Sequence, residues 1–377
     1  MWLRLLILMF VSFDASAAIR VEGLQVEYAY QSPTQPLTIG LVQRESEDSW
    51  TKVSQLANYG FSEDEYWVRI KLTKTAPDTP VFIMRLIHPV LDTIDIHMLS
   101  ASGENLNTWY LGDIRQNIQR PVQDKKPAFP VDMAGHQSVI IYIRVSSINA
   151  MLLTTEILSE GEHDLTVQNE VLLSGFIYGM LLVMALYNLG LAISTKDKAY
   201  YIYVLAVVAY VFFLLSLNGD GYYYLWFNHP DFNHHSILYS SAFLTIPAYL
   251  FPYYLLNVQK HVPKLAYIFK AVIIFSSLFL LAIPYIDNFT ALKFINAYSL
   301  VAIIFLLMTG FHLSIKKIPS ARIYTLAWFS LIVGLVVLPL SAFGIIESNM
   351  LTTNANMFGG AIETVLLSLA LAQRIRN

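Results

Sequence analysis

From residue 171 onward the sequence holds seven apolar runs, near 171–194, 199–217, 237–257, 265–286, 291–313, 323–346 and 351–372. Each is about 19 to 24 residues long, enough for a helix to cross roughly 30 Å of hydrocarbon. In lipid a helix satisfies its own backbone hydrogen bonds, so this pattern dictates a seven-helix transmembrane bundle over 166–377. Pro247, Pro252 and Pro339 fall inside or near the ends of these runs, where membrane helices tolerate them.

The connecting segments give the orientation. With the N-terminal part outside, the inner segments carry Lys196, Lys198, Lys260, Lys264, Lys316, Lys317, Arg322, Arg374 and Arg376. The outer loops carry Asp220, Asp231, Asp287 and Glu347, with Lys293 the one basic residue near an outer end. Nine basic residues against one is a strong positive-inside pattern and places the C-terminus in the cytoplasm. Tyr222, Tyr223, Tyr224, Trp226 and Phe227 crowd the first outer loop and read as an interfacial aromatic belt. Gly175 and Gly179, four apart in the first run, form a small-residue face that allows close helix approach, within the molecule rather than between copies, with a lipid-facing placement as the competing reading.

The preceding part is different in kind. Residues 18–165 carry 12 basic and 19 acidic side chains, whereas 166–377 carry 11 and 7. Met1 to Ala17 reads as a secretory signal: Arg4, an apolar stretch and Ala15-Ser16-Ala17. From Ala18 to about Asp164 the hydrophobic period is two. Val68, Ile70 and Leu72 alternate with Arg69 and Lys71, and Ile94, Ile96 and Met98 with Asp95 and His97. Ile141, Ile143 and Val145 likewise oppose Tyr142 and Arg144. Such alternation marks half-buried antiparallel strands. Turn signals at Ala76-Pro77-Asp78, Ser102-Gly103, Leu111-Gly112-Asp113 and Ala134-Gly135 separate them. The expected fold is thus an α+β multidomain membrane protein, with a periplasmic jelly-roll-like β-sandwich (18–165) before the bundle. Polar residues Gly161 to Asn169 read as a linker between the two.

Several stretches resemble the bacterial seven-transmembrane receptors with diverse intracellular signalling modules (7TMR-DISM). In the outer part they are YWVRIKL (66–72), LIHPVLDTIDIHMLSASG (86–103), LGD (111–113) with Arg120-Pro121, and YIRVSS (142–147). In the membrane part they are YGMLLVMALYNLGL (178–191), KDKAYYIYVL (196–205) and GGAIETVLLSLALAQRI (359–375). The resemblance spans about Glu45 to Arg376. It implies the second type of extracellular domain in that family, a sandwich similar to carbohydrate-binding modules, on a sensory receptor of the bacterial inner membrane. Members of the family usually continue into a coiled coil and an output module, such as a diguanylate cyclase or histidine kinase. This sequence ends at Asn377, so the output is expected in a further segment or a partner chain, and no enzymatic activity carries over.

Stacking on a sugar face requires aromatic rings, and hydroxyl recognition requires carboxylates. The candidate ligand-binding residues are therefore Trp67, Trp109, Tyr110 and Asp113, with Arg120; packing roles are the competing reading for the aromatics. Asp113, Asp124 and Asp132 match no known calcium loop, and no metal or cofactor is expected. Within the spans polar side chains are costly, which singles out Tyr187, Asn188, Asn356 and Glu363 for signal transmission or for static helix–helix contacts. Asn356 and Glu363, seven apart, share a helix face.

Catalytic motifs are missing from the sequence. It has no cysteine, no G-x-S-x-G, no H-E-x-x-H and no P-loop. Asn218-Gly219-Asp220-Gly221 resembles an intramembrane aspartyl protease motif, but no span supplies the second aspartate. His229, His234 and His235 offer poor joint geometry for a metal. The sequence therefore favours a non-enzymatic receptor, with the lipid bilayer, a small-molecule (carbohydrate-like) ligand and a cytoplasmic signalling module as partners, and no nucleic acid. A small-solute transporter and a membrane-anchored binding protein are the alternatives. Transport would call for charged residues near the bilayer midplane, where Glu363 stands nearly alone.

Overall fold

The computed structural model describes residues 24–31, 38–53, 56–75, 81–115, 120–342, 346 and 349–376. The expected signal segment 1–17, the turn at Ala76-Pro77-Asp78 and Glu347 lie outside them.

Among the described residues ten strands precede the long helices: β1 (Leu24–Gln31), β2 (Thr51–Val53), β3 (Leu56–Gly60), β4 (Tyr66–Lys74), β5 (Phe82–Leu86), β6 (Thr93–Ser100), β7 (Asn105–Leu111), β8 (Ala128–Val131), β9 (Ser138–Ser146) and β10 (Met151–Ser159). They form a six-stranded sheet, β2-β1-β4-β9-β6-β7, and a four-stranded sheet, β3-β10-β5-β8, antiparallel throughout. One core joins the two. Val68, Ile70 and Leu72, Ile94, Ile96 and Met98, and Ile141, Ile143 and Val145 meet Phe82, Met84, Phe129, Leu153 and Ile157 of the other sheet. The period-two residues all point inward, as a sheet with one solvated face requires.

The opposite face of the six-stranded sheet carries a second, smaller cluster. Trp50, Trp67, Ala29, Leu99 and Tyr142 pack beneath the short helix Ile39–Val42.

Seven helices of 20 residues or more follow among the described residues: α1 (Glu160–Thr195), α2 (Lys198–Leu217), α3 (Pro230–Leu255), α4 (Pro263–Ala282), α5 (Asn288–Ile315), α6 (Ala321–Ala342) and α7 (Ala355–Arg376). Five are long and apolar enough to cross a membrane: α1, α2, α4 extended to Tyr285, α5 and α7. The runs expected at 237–257 and 323–346 coincide with α3 and α6, which pack in the same bundle; α3 does not reach that hydropathy, and α6 is apolar but over the shorter stretch Ala321–Val337. Pro230, Asp231 and a series of hydroxyl and imidazole side chains make the outer end of α3 polar.

Two expectations change. The segment Gly161 to Asn169 is no linker but the first turns of α1. Gly175 and Gly179 meet nothing where a Cβ would project. The buried stripe of α1 runs instead through Ser174, Ile177, Leu181, Ala185 and Asn188, at helical spacing. Close approach occurs between α6 and α7, where a Cβ on Gly334 would lie 2.3 Å from the Ala355 carbonyl oxygen and one on Gly359 2.8 Å from that of Ser330.

Candidate functional site: the junction of sandwich and helices

β10 is the element from which the junction grows. It is interior to its sheet, between β3 and β5, and passes into α1 without an intervening residue. Ser159 closes the joint. Its hydroxyl accepts the Glu162 amide at 3.3 Å, and the Glu162 carboxylate accepts the Ser159 amide at 2.9 Å. This reciprocal pair satisfies two helix-end donors and fixes the angle at which the helix leaves the sheet.

Beside the joint lies a buried cluster of charges. Arg85 on β5 is fully buried; its Nη2 donates to Glu170 of α1 at 2.6 Å and its Nη1 to Glu156 of β10 at 3.3 Å. Its Nε stands 2.7 Å from Asp124, an ion pair by distance that lies off the N–H direction. Lys126 donates to the other Glu170 oxygen at 2.8 Å. His163 of α1 reaches Asp124 at 3.2 Å. Burial works against the Arg85 charge, but Glu170, Asp124 and Glu156 outweigh it and hold the guanidinium ionised. Burial likewise opposes the Asp124 charge, but the His163 hydrogen bond and Arg85 bring it down to about 2. Two sandwich strands are thereby clamped to the first three turns of α1.

The loop between α2 and α3 supplies the second contact. Asp220 accepts Lys125 Nζ from the sandwich and Tyr178 OH from α1, each at 2.8 Å. Tyr222 donates to the Arg115 carbonyl, and Tyr223 to Gln123 at 3.3 Å. Asn233, held by Trp226 Nε1 at 2.9 Å, donates to the Asp113 carbonyl at 3.2 Å. Gly219 has φ of 73° and its missing side chain makes room for Pro89, whose Cβ would lie 2.9 Å from a Cβ there. The loop expected to form an aromatic belt is thus a docking surface. Tyr222 is buried against the sandwich, while Tyr224 stays exposed.

The third contact is a corner. Residues Ser147–Ala150 lead from β9, interior to one sheet, to β10, interior to the other. Ile148 at its tip packs with Leu238, Ala242, Ile283, Ala291, Leu292 and Ile295 at the outer ends of α3, α4 and α5. Asp92 holds the corner by accepting the Ile148 amide at 2.9 Å and Asn149 Nδ2 at 3.4 Å, with His234 3.8 Å away. Asp113 sits beside Asp92, its Oδ1 buried without a hydrogen-bond partner. Burial and then the Asp92 charge raise the Asp113 carboxyl well above the usual range; burial raises Asp92 too.

The five candidate ligand residues do not converge. Trp67 is buried on the outward face of the six-stranded sheet and stacks on His97 at 6.4 Å. Trp109 faces the other way and packs on Phe129 at 5.1 Å in the core. Tyr110, next to it, is exposed on the outward face with the Arg115 guanidinium 5.4 Å from its ring. Asp113 and Arg120 belong to the junction. Arg120 Nη1 donates to the carbonyls of Asp124 and Lys125 at 2.7 and 2.8 Å, shaping the loop that carries Lys125. Asp124 and Asp132 also lie apart, the latter accepting the Ala134 amide at 2.8 Å.

Inside the bundle, Asn188 is fully buried and joined to α7: its Nδ2 donates to Ser368 Oγ at 2.9 Å, and Ser368 Oγ stands 3.2 Å from its Oδ1. Tyr187 points to the lipid side, 60% exposed, because adjacent helical residues lie about 100° apart. Tyr203 and Tyr210 of α2 donate to the carbonyls of Thr364 and Asn356 at 2.9 and 3.3 Å. Glu363 lies among Tyr203, Tyr210 and Tyr324. At the inner ends Arg374 stands 3.5 Å from Asp197, and Ser320 Oγ donates to the Ala370 carbonyl at 2.7 Å. The last helix is therefore tied to α1, α2 and α6 along its length.

The sequence reading missed Arg85, Glu170 and Ile148, and met Asp220 only as an outer-loop acid and in a protease-like motif. Arg85 left a trace, as the one charge in the strand FIMRL, but its partners lie 39 to 85 positions away and only the fold brings them together.

A β domain whose interior strand becomes a membrane helix, docked on the same bundle at two further places, is the build of a membrane receptor with an outer sensing module. Residues 170–374 match the family described as 7TM diverse intracellular signalling, and residues 24–159 match the one described as 7TMR-DISM extracellular 2. The chain belongs to the 7TM diverse intracellular signalling family. No curated protein matches the sequence significantly.

Proposed function

We propose that this protein is a sensory receptor whose sandwich binds a small, carbohydrate-like ligand outside the bacterial inner membrane. All seven long helices cross the bilayer, and α7 hands the signal to a cytoplasmic output module. The observation that carries this reading is the unbroken passage from β10 into α1, because a rigid joint transmits displacement where a flexible linker would absorb it. The strand order supports a jelly roll: β3 to β10 change sheet at every step except the β6–β7 hairpin, giving β4-β9-β6-β7 and β3-β10-β5-β8, with β1 and β2 added at one edge.

The outward face of the six-stranded sheet is the ligand surface. It presents Tyr110, His97, Arg69 and Arg144 around the Trp50–Trp67–Tyr142 cluster. The indole nitrogens of Trp50 and Trp67 are buried without partners, donors that a hydroxylated ligand can use once the cover over them shifts. Binding changes the receptor only if the ligand favours one arrangement of the joint over another. The protein acts by binding and transmission, without catalysis.

The sequence has no cysteine, so spin labels can be placed freely. Labels at Thr195 and Ala372, on the inner ends of α1 and α7, report their separation in the full chain in nanodiscs. A glycan found by thermal-shift screening should change that distance distribution. A saturating glycan that leaves it unchanged overturns the receptor reading, as does solute uptake by vesicles holding this chain alone.

A further inference from the structure

α5 and α6 are joined by the turn Lys316–Ser320, in which Lys317 and Ser320 adopt left-handed backbone angles of 57° and 65°. Just before the turn the helices touch closely, since a Cβ on Gly310 would lie 2.7 Å from the Tyr324 ring. Beside this contact runs a groove of about 570 Å³, lined by Leu307, Met308, Phe311, Leu326 and Phe329 and, at the turn end, Arg322 with Ser314 and Thr325.

We propose that this groove is a binding site for one anionic phospholipid, with an acyl chain along the apolar wall and the phosphate at Arg322. The groove opens to lipid rather than to the protein interior: Met308 is 58% exposed, and Phe311, Leu326 and Phe329 each 55%. Its polar wall groups are already satisfied. The Ser314 and Thr325 hydroxyls stand 3.0 Å apart, and each has a carbonyl of its own helix, Gly310 or Ala321, to donate to at 2.8 Å. They offer little to a headgroup, so the choice among lipids falls to charge.

The charge is one-sided. Arg322 is exposed and forms no ion pair among the described residues, and Lys316 and Lys317 stand exposed in the adjoining turn. The sequence from Lys316 to Arg322, KKIPSAR, contains no acidic residue. A guanidinium meets a phosphate through two parallel hydrogen bonds, a geometry that a choline headgroup's positive charge opposes. Basic groups at the edge of an intramembrane groove select anionic lipid in the same way. By the charge distribution of the loops this is the inner leaflet, although the chemistry of selection does not depend on the side.

Native mass spectrometry of the full chain, released from micelles holding phosphatidylglycerol and phosphatidylcholine with identical acyl chains, tests the site. One phosphatidylglycerol should be retained several-fold over phosphatidylcholine. R322Q, a change at an exposed side chain, should abolish the preference without moving the melting temperature. L326W, which fills the groove, should lose the retained lipid itself, and glycerol phosphate without chains should not displace it. Equal retention of the two lipids, or a preference that survives R322Q, overturns the proposal. So does a dimer that forms through this face and excludes lipid.

Discussion

Asp113 and Asp92 set a pH dependence at the junction whose sign can be worked out. Both carboxyls are raised in the folded protein, Asp113 first by burial and then by the Asp92 charge. Around them stand Arg120 from the same domain and Tyr222 and His234 from the helical side. A carboxyl with a raised folded pKa contributes stability that is fully present below its unfolded value of 3.8 and is lost as pH rises through the raised one. Asp124 has the opposite sign: lowered to about 2, its contribution is present above 3.8 and lost only as pH falls toward 2. Between 3.8 and neutrality Asp113 and Asp92 should therefore tighten the junction on acidification, against the buried His88, lowered to about 4, which favours unfolding as pH falls from 6.5. D113N, which mimics the protonated side chain, should raise the melting temperature at neutral pH and flatten its slope with pH. A melting profile with the same slope in D113N would show that Asp113 does not titrate in the folded protein. Arg85 acts in another way. Replacing it with methionine strands Asp124, Glu156 and Glu170 with one fewer cation, and losing one partner of a buried ion cluster costs about 3–5 kcal/mol. Chemical denaturation of R85M against the native chain reads that loss directly.

The β10–α1 joint gives its own prediction among the elements. S159A removes the hydroxyl that accepts the Glu162 amide and should cost about 1 kcal/mol. Four glycine and serine residues inserted after Ser159 should leave both domains folded but cancel the ligand-driven change between Thr195 and Ala372. Persistence of that change would move the input to the Asp220 or Ile148 contacts. The elements themselves were largely readable from the sequence. Alternation placed Val68, Ile70 and Leu72 inward, and the apolar runs marked the helices, because period and length are local properties. Facing was harder to read. Trp109 and Tyr110 are neighbours that a strand sends to opposite sides, and Tyr187 and Asn188 are neighbours that a helix separates. Residue type alone, aromatic in the first pair and polar in the second, nominated all four, although two serve the core or the lipid. The junction was not readable at all, since Arg85 with Glu170, Lys125 with Asp220 and Asp113 with Asn233 are pairs made only by the tertiary fold.

For the whole molecule the question is whether sandwich and bundle unfold as one body or two. Each has a core of its own, centred on residues such as Ile70 and Phe129 in one and Tyr203 and Phe269 in the other. The Ile148 corner joins them through an apolar contact that belongs to neither core. A side chain only partly buried returns less than a core isoleucine, so I148A should cost about 2 kcal/mol or less. If the two bodies are distinct, that cost falls on the docking step. Hydrogen exchange should then quicken in residues 88–92, 147–150 and 219–235, while protection in β4, β9, α2 and α7 stays at its native level. Such a pattern would also fit a receptor, because a junction weaker than the domains it joins is where a ligand of modest affinity can shift the balance between two arrangements. Exchange that rises equally in the junction and in both cores would make the molecule a single cooperative unit. The signal would then have to travel through the β10–α1 joint alone, with the corner a passive part of the fold.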